Sequence, residues 1–111
     1  MRELITWADN YPEQRILAGD YNAWPGASEI DLMTSGHYDA WAVAQQQGDA
    51  VAYSGNTAGN TRNSRIDYVF LSKGASRSTI KASRVYDVRN SSGVAPSDHR
   101  PVMSTIRLTS T

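Results

Sequence analysis

Three short polar clusters carry the residue types that could perform chemistry on a phosphate. Each cluster lies at the end or edge of a predicted strand, where functional residues collect in mixed α and β proteins. The clusters are Asp20 with Asn22, Asp67 alone, and Asp98 with His99. Their shared position relative to strands predicts that they meet at one site.

The pair Asp98–His99 lies in a loop bounded by Pro96 and Pro101. Neighbouring residues of a regular strand point to opposite faces, whereas a proline-bounded loop lets both side chains converge. An imidazole can act as base, acid or phosphate partner, and it works best when a carboxylate fixes its tautomer. Asp67 is the candidate for that role, because a carboxylate inside an apolar run is costly unless something pairs with it.

Taken singly, each cluster also has an ordinary explanation. An Asp-His pair in a loop can be an exposed pair or a local cap. The segment 19–22 is typical turn chemistry, because Asp and Asn bond their own backbone. Asp67 could instead pair with Arg65 or Arg84. Tryptophans usually pack in or beside a core, although Trp24, in a loop near Asn22, is a candidate platform for stacking a base.

Composition narrows the class of protein. The chain has 111 residues, 40% of them hydrophobic and 20% charged, which predicts one soluble globular domain. We expect no membrane span, because no apolar run reaches about 18 residues. The absence of cysteine excludes disulfides and thiolate metal sites.

The zero net charge conceals a division along the chain. Residues 1–61 hold two basic and eight acidic side chains, whereas residues 62–111 hold nine basic and three acidic ones. The basic part could face phosphates, or the two parts could pair across the folded domain.

The spacing of apolar residues predicts a mixed α/β (α+β) domain. Helices are expected at 2–10, from Ser28 onward and at 38–46, and strands at 16–19, 66–71, 80–88 and 101–108, with a weak candidate at 50–55. The segment 66–71 alternates and is rich in β-branched and aromatic residues, which favours a central strand. Residues 55–64 predict a polar loop.

In this order the motifs ILAGDYNAWPG, NSRIDYVFLSKG and PSDHRPVMSTI resemble the C-terminal half of the endonuclease/exonuclease/phosphatase (DNase-like) family. The resemblance covers the chain from about Arg15 to Leu108. It implies one mixed, mainly antiparallel sheet with helices on its outer face, which is half of a four-layer α/β/β/α sandwich.

The resemblance also implies roles for individual residues. Asp20 and Asn22 would orient the attacking water and hold a phosphoryl oxygen, Asp67 would orient the histidine, and His99 would contact the scissile phosphate. Metal binding, by Mg²⁺ or Mn²⁺, is expected at Asp98 and Asp20. Substrate binding is expected at Asn22, Arg65, Arg100 and Trp24, although either arginine could be structural.

The chain departs from the family pattern in one respect. The N-terminal half of the family domain supplies an Asn and the principal metal-binding Glu, and neither motif is present. Two hypotheses follow: a metal-dependent phosphodiesterase of nuclease type that works as a homodimer through an exposed sheet face, or a non-catalytic half-domain that keeps the fold and phosphate affinity. The first predicts a nucleic acid or another phosphoester as substrate.

Overall fold

The chain folds into three α-helices and six strands within residues 2–11 and 13–107, the part that the computed structural model describes. The helices are α1 (Arg2–Ala8), α2 (Ser28–Gly36) and α3 (Ala40–Gln47). The strands are β1 (Ile16–Asp20), β2 (His37–Asp39), β3 (Ala50–Val51), β4 (Asp67–Ser72), β5 (Ile80–Val85) and β6 (Val102–Ile106). The predicted mixed α+β class is confirmed, and no described helix is long and apolar enough to cross a membrane.

The strands form two three-stranded sheets instead of the single sheet that we expected. One sheet has the order β1-β4-β2 and is antiparallel, with β4 in its centre as predicted. The other has the order β3-β5-β6, with β3 parallel and β6 antiparallel to β5. Alternation along a strand specifies which face is buried but not which strand it pairs with, which is why the sequence did not reveal the division.

Strand β4 contributes to both hydrophobic cores. Tyr68 and Phe70 pack with Met33 and other residues of the α2 side, and their rings stack with centroids 5.1 Å apart. Leu71 packs in the second core with α3 and the start of β5, through Val43 and other small or branched side chains. The site-bearing strand is therefore fixed from both sides.

Several element boundaries differ from the prediction. The helix expected at 38–46 begins only at Ala40, because residues 37–39 pair with β4 as β2 and Asp39 then serves as the N-cap, its carboxylate accepting from the Ala42 amide at 3.4 Å. Helix α2 has Ala27 as N-cap, with no side-chain cap bond, instead of Ser28. The weak strand predicted at 50–55 is reduced to Ala50–Val51.

The strand predicted at 101–108 shows the expected alternation. Val102, Ser104 and Ile106 are half-buried, whereas Met103 and Thr105 are exposed. The predicted end at residue 108 lies outside the described residues. The polar segment 55–64 is a loop without helix or strand, as predicted.

Candidate active site

Two carboxylates meet where β1 ends and β4 begins. Asp20 is the last residue of β1 and Asp67 the first of β4, and the antiparallel register places them directly opposite each other. Opposite residues of an antiparallel pair project to the same face of the sheet. Asp20 is the more open of the two, with 47% of its side chain exposed against 17% for Asp67.

His99 joins these carboxylates from the loop that precedes β6. Its Nδ1–H donates to Asp67 Oδ2 at 2.8 Å, and its Nε2 lies 3.9 Å from Asp20 Oδ2. This hydrogen bond to the Asp67 carboxylate is the main cause that raises the pKa of His99 above its ordinary value, with smaller contributions from nearby carboxylate charges. The imidazole is thereby held with Nε2 toward Asp20 and solvent.

The cluster of Asp20, Asp67 and His99 could hold a metal ion. One ligand atom from each residue lies within 4.8 Å of the others. Carboxylate oxygens suit hard divalent cations, which take six or more ligands, so three side chains would leave several positions to water and substrate. The donor set therefore fits a hydrated, weakly held ion.

Asp98, which we expected to bind metal, is not part of this cluster. Its Oδ2 accepts from Arg62 Nε at 3.1 Å, and 67% of the side chain is exposed. Its carboxylate is thereby paired with Arg62 and open to solvent, whereas His99, the next residue, joins the cluster. In this arrangement Asp67 and His99 accompany Asp20 in place of Asp98.

Asn22 and Trp24 lie beside the carboxylates on the loop after β1. The main-chain N–H of Asn22 donates to Asp20 Oδ1 at 2.7 Å, and the residue has a left-handed backbone with φ of 50°. Both side chains are exposed, Trp24 by 63%, and both line a shallow cavity of about 470 Å³. Trp41, in contrast, is buried in the fold.

Arg65 does not face the site, contrary to the expectation that it contacts substrate. Both terminal nitrogens donate to the carboxylate of Asp39, at 2.9 and 2.7 Å, and both side chains are buried. The guanidinium is therefore occupied, which favours the structural alternative. Asp67, for its part, pairs with His99 instead of with either arginine considered as its partner.

Arg100 remains close to the cluster. With Asp20 and Asp67 it lines a cleft of about 280 Å³. One terminal nitrogen donates to the main-chain carbonyl of Arg62 at 2.5 Å, so the group is anchored without being neutralised by that contact. The positive charge of Arg100 could therefore attract a phosphate bound in the cleft.

Two residues that hold the segments around the site were given no role from the sequence. Asp39 holds Arg65 in a buried ion pair. Thr61 was treated as part of a polar loop, although its hydroxyl accepts from the amides of Ile66 and Asp67 at 3.2 and 3.1 Å. Neither has a local signal, because Thr in a polar loop and Asp before a helix are both ordinary.

Comparison with known proteins agrees with the motifs. A model of the Endonuclease/Exonuclease/phosphatase family matches residues 1–99, and the chain belongs to this family. The family supports a nuclease- or phosphatase-type fold, and its members generally use divalent metals. No curated protein and no solved structure matches the chain.

Proposed function

We propose that the protein is a metal-dependent phosphodiesterase of nuclease type, acting on DNA or another phosphoester. The observation that supports this proposal is the convergence of Asp20, Asp67 and His99 at the junction of β1 and β4. The loop before β6 brings the histidine to two carboxylates from another sheet, and one carboxylate fixes its orientation. A histidine held in this way is suited to catalysis at a phosphate.

In the proposed reaction water attacks phosphorus and the bond from phosphorus to the leaving oxygen breaks. Asp20 orients the water and accepts its proton, because its carboxylate is open and next to His99 Nε2. His99 contacts a phosphoryl oxygen and stabilises the charge that grows there, while Asp67 keeps Nδ1 protonated. The leaving oxygen takes its proton from solvent. Asn22, whose main-chain N–H donates to Asp20, holds a second phosphoryl oxygen.

A bound Mg²⁺ or Mn²⁺ would supply Lewis-acid stabilisation of the phosphate charge. Asp20 would be its main ligand, because this carboxylate is the most exposed of the three groups, whereas Asp67 is already bonded to His99. Asp98 could reach such an ion only after leaving Arg62.

The test is hydrolysis of plasmid DNA and of a small phosphodiester by highly purified protein as Mg²⁺ or Mn²⁺ is added. Asp20→Ala should lower the rate by about a hundredfold or more, the scale of losing one positioned group. Asp31→Ala, an exposed carboxylate on α2, is the matched control and should leave the rate unchanged. Equal rates in all three proteins would refute the site.

A second candidate is a non-catalytic domain that keeps phosphate affinity. Two observations favour it. Among the described residues, the cluster that could hold a metal ion contains no glutamate, and Asp98 is exposed and paired with Arg62. This candidate predicts that the chain binds an oligonucleotide in a way that depends on Arg100 but does not cleave it with any added metal.

We also propose that the active form is a homodimer, joined through the apolar side chains left exposed on the sheets. Ile16, Val51 and Met103 are 47%, 45% and 49% exposed although they lie in strands. Exposed apolar patches commonly mark interfaces, and a two-fold contact would let two copies cover each other. Light scattering should give about twice the 12.2 kDa chain mass, and a clean monomer at tens of micromolar would refute the dimer.

A further inference from the structure

The two halves of the His99–Asp67 pair come from different sheets. Asp67 begins β4 of the first sheet, whereas His99 precedes β6, which pairs with β5 in the second. No ladder of main-chain hydrogen bonds between β4 and β6 sets their relative position in the part of the chain that the structure describes. Yet the pair meets at 2.8 Å, so another contact must align the two segments.

Thr61 makes contacts with both segments. Its side chain is fully buried, and its Oγ1 accepts from the amides of Ile66 and Asp67 at 3.2 and 3.1 Å. Its main-chain carbonyl accepts from the amide of Arg100, the residue after His99, at 2.6 Å. One residue therefore holds the start of β4 with its side chain and the histidine loop with its backbone.

The loop around Thr61 is held by further contacts. The Asn56 side chain closes the loop: its Nδ2 donates to the main-chain carbonyl of Asn60 at 2.9 Å, and its Oδ1 accepts from the main-chain N–H of Asn60 at 2.8 Å. Gly59 has φ of 74° and lies so close to Trp41 that an added Cβ would come within 2.3 Å of the indole. The loop therefore packs closely against Trp41 just before Thr61, and a side chain at position 59 would displace it.

We propose that Thr61 is the positioning residue that aligns Asp67 with His99 across the two sheets. The importance of this alignment for turnover rests on the proposed function, whereas the alignment itself can be tested without activity. Thr61 is not a member of the Asp20, Asp67 and His99 cluster, and its hydroxyl is used by main-chain amides. Its effect passes through the amide of Asp67 and the amide of Arg100.

The test compares Thr61→Val with Thr61→Ser. Valine keeps the shape but removes the acceptor for two buried amides, whereas serine keeps the acceptor. Thr79→Val is the matched control, because Thr79 is also buried and uses its hydroxyl locally, donating to the Ser76 carbonyl at 2.7 Å far from the pair. All variants are checked for folding by circular dichroism.

The first readout is the low-field proton NMR signal of the His99 Nδ1–H bonded to Asp67. We expect this signal to disappear or broaden in Thr61→Val and to persist in Thr61→Ser and Thr79→Val. In the hydrolysis assay Thr61→Val should lose about tenfold or more in kcat with a much smaller change in KM, because small misplacements of catalytic groups act on turnover.

A folded Thr61→Val protein that keeps the wild-type signal overturns the proposal, whatever its activity. Loss of the signal in folded Thr61→Ser also overturns it. If Thr61→Val does not fold, amide hydrogen exchange of the wild-type protein decides the matter. Slow exchange at both Asp67 and Arg100 supports the proposal, and rapid exchange at either overturns it. Absence of hydrolysis in the wild type would refute the proposed function while leaving these tests intact.

Discussion

Replacing Arg65 by methionine should destabilise the fold, although this residue was first expected to bind substrate. The guanidinium donates two hydrogen bonds to Asp39, and the two side chains are only 9% and 7% exposed. Arg65→Met would leave the Asp39 carboxylate buried and unpaired, which costs about 3–5 kcal/mol. For a domain whose free energy of unfolding is about 5–15 kcal/mol, this loss is a large fraction of the total.

Urea denaturation measures this loss, because the midpoint falls while the slope is retained. The double variant Asp39→Leu with Arg65→Met should recover most of the stability, since no unpaired charge remains buried. Recovery should fall short by about 1 kcal/mol, because Asp39 also caps α3.

Arg89→Met is the matched control. Arg89 pairs with Asp87 at 2.5 Å, but this pair lies on the surface, with 54% and 33% of the side chains exposed. Solvent screening should make its loss much smaller. If Arg65→Met lost less than about 1 kcal/mol, the buried-pair interpretation would be wrong, and contact with substrate would again be the better explanation for Arg65.

Three further predictions concern the candidate site. Because Asp67 raises the pKa of His99, the folded pKa exceeds the unfolded value near 6.5, so the contribution of His99 to the stability of metal-free protein is full below that value and is lost as pH rises through the folded pKa. Asp67→Asn should greatly reduce this pH dependence of stability, and an unchanged profile would contradict the pairing. Trp24→Ala should weaken binding of single-stranded DNA by about 1–3 kcal/mol in fluorescence anisotropy without lowering stability, and unchanged affinity would exclude stacking. Asp20→Asn should weaken Mn²⁺ binding in calorimetry more than Asp98→Asn does, and the reverse order would mean that Asp98 turns inward to bind metal.

The convergence of Asp20, Asp67 and His99 was predictable from the sequence. Asp20 ends an apolar strand, Asp67 interrupts another, and a carboxylate in such a run needs a partner. His99 was the natural candidate because two prolines free its loop from strand geometry. These signals are local in the sequence, and the register of β1 against β4 places Asp20 opposite Asp67 in the fold.

The partners of the arginines were not predictable in the same way. Arg65 and Asp39 are 26 residues apart, and neither the charge pattern nor the strand periodicity specifies that they meet. Likewise, residues 37–39 lack the length and β-branched content of a strand, and only pairing with β4 makes them one. Tertiary contacts outweighed local propensity at both places.

We propose that Asp20, Asp67 and His99 together form a metal-dependent phosphodiesterase site. The most direct measurement is plasmid nicking by highly purified wild-type protein and His99→Ala, prepared in parallel, with Mn²⁺ and after its removal by a chelator. We expect wild-type nicking only with metal and a rate at least about a hundredfold lower in His99→Ala. Equal nicking by the two folded proteins, or nicking that persists without metal, would contradict the claim.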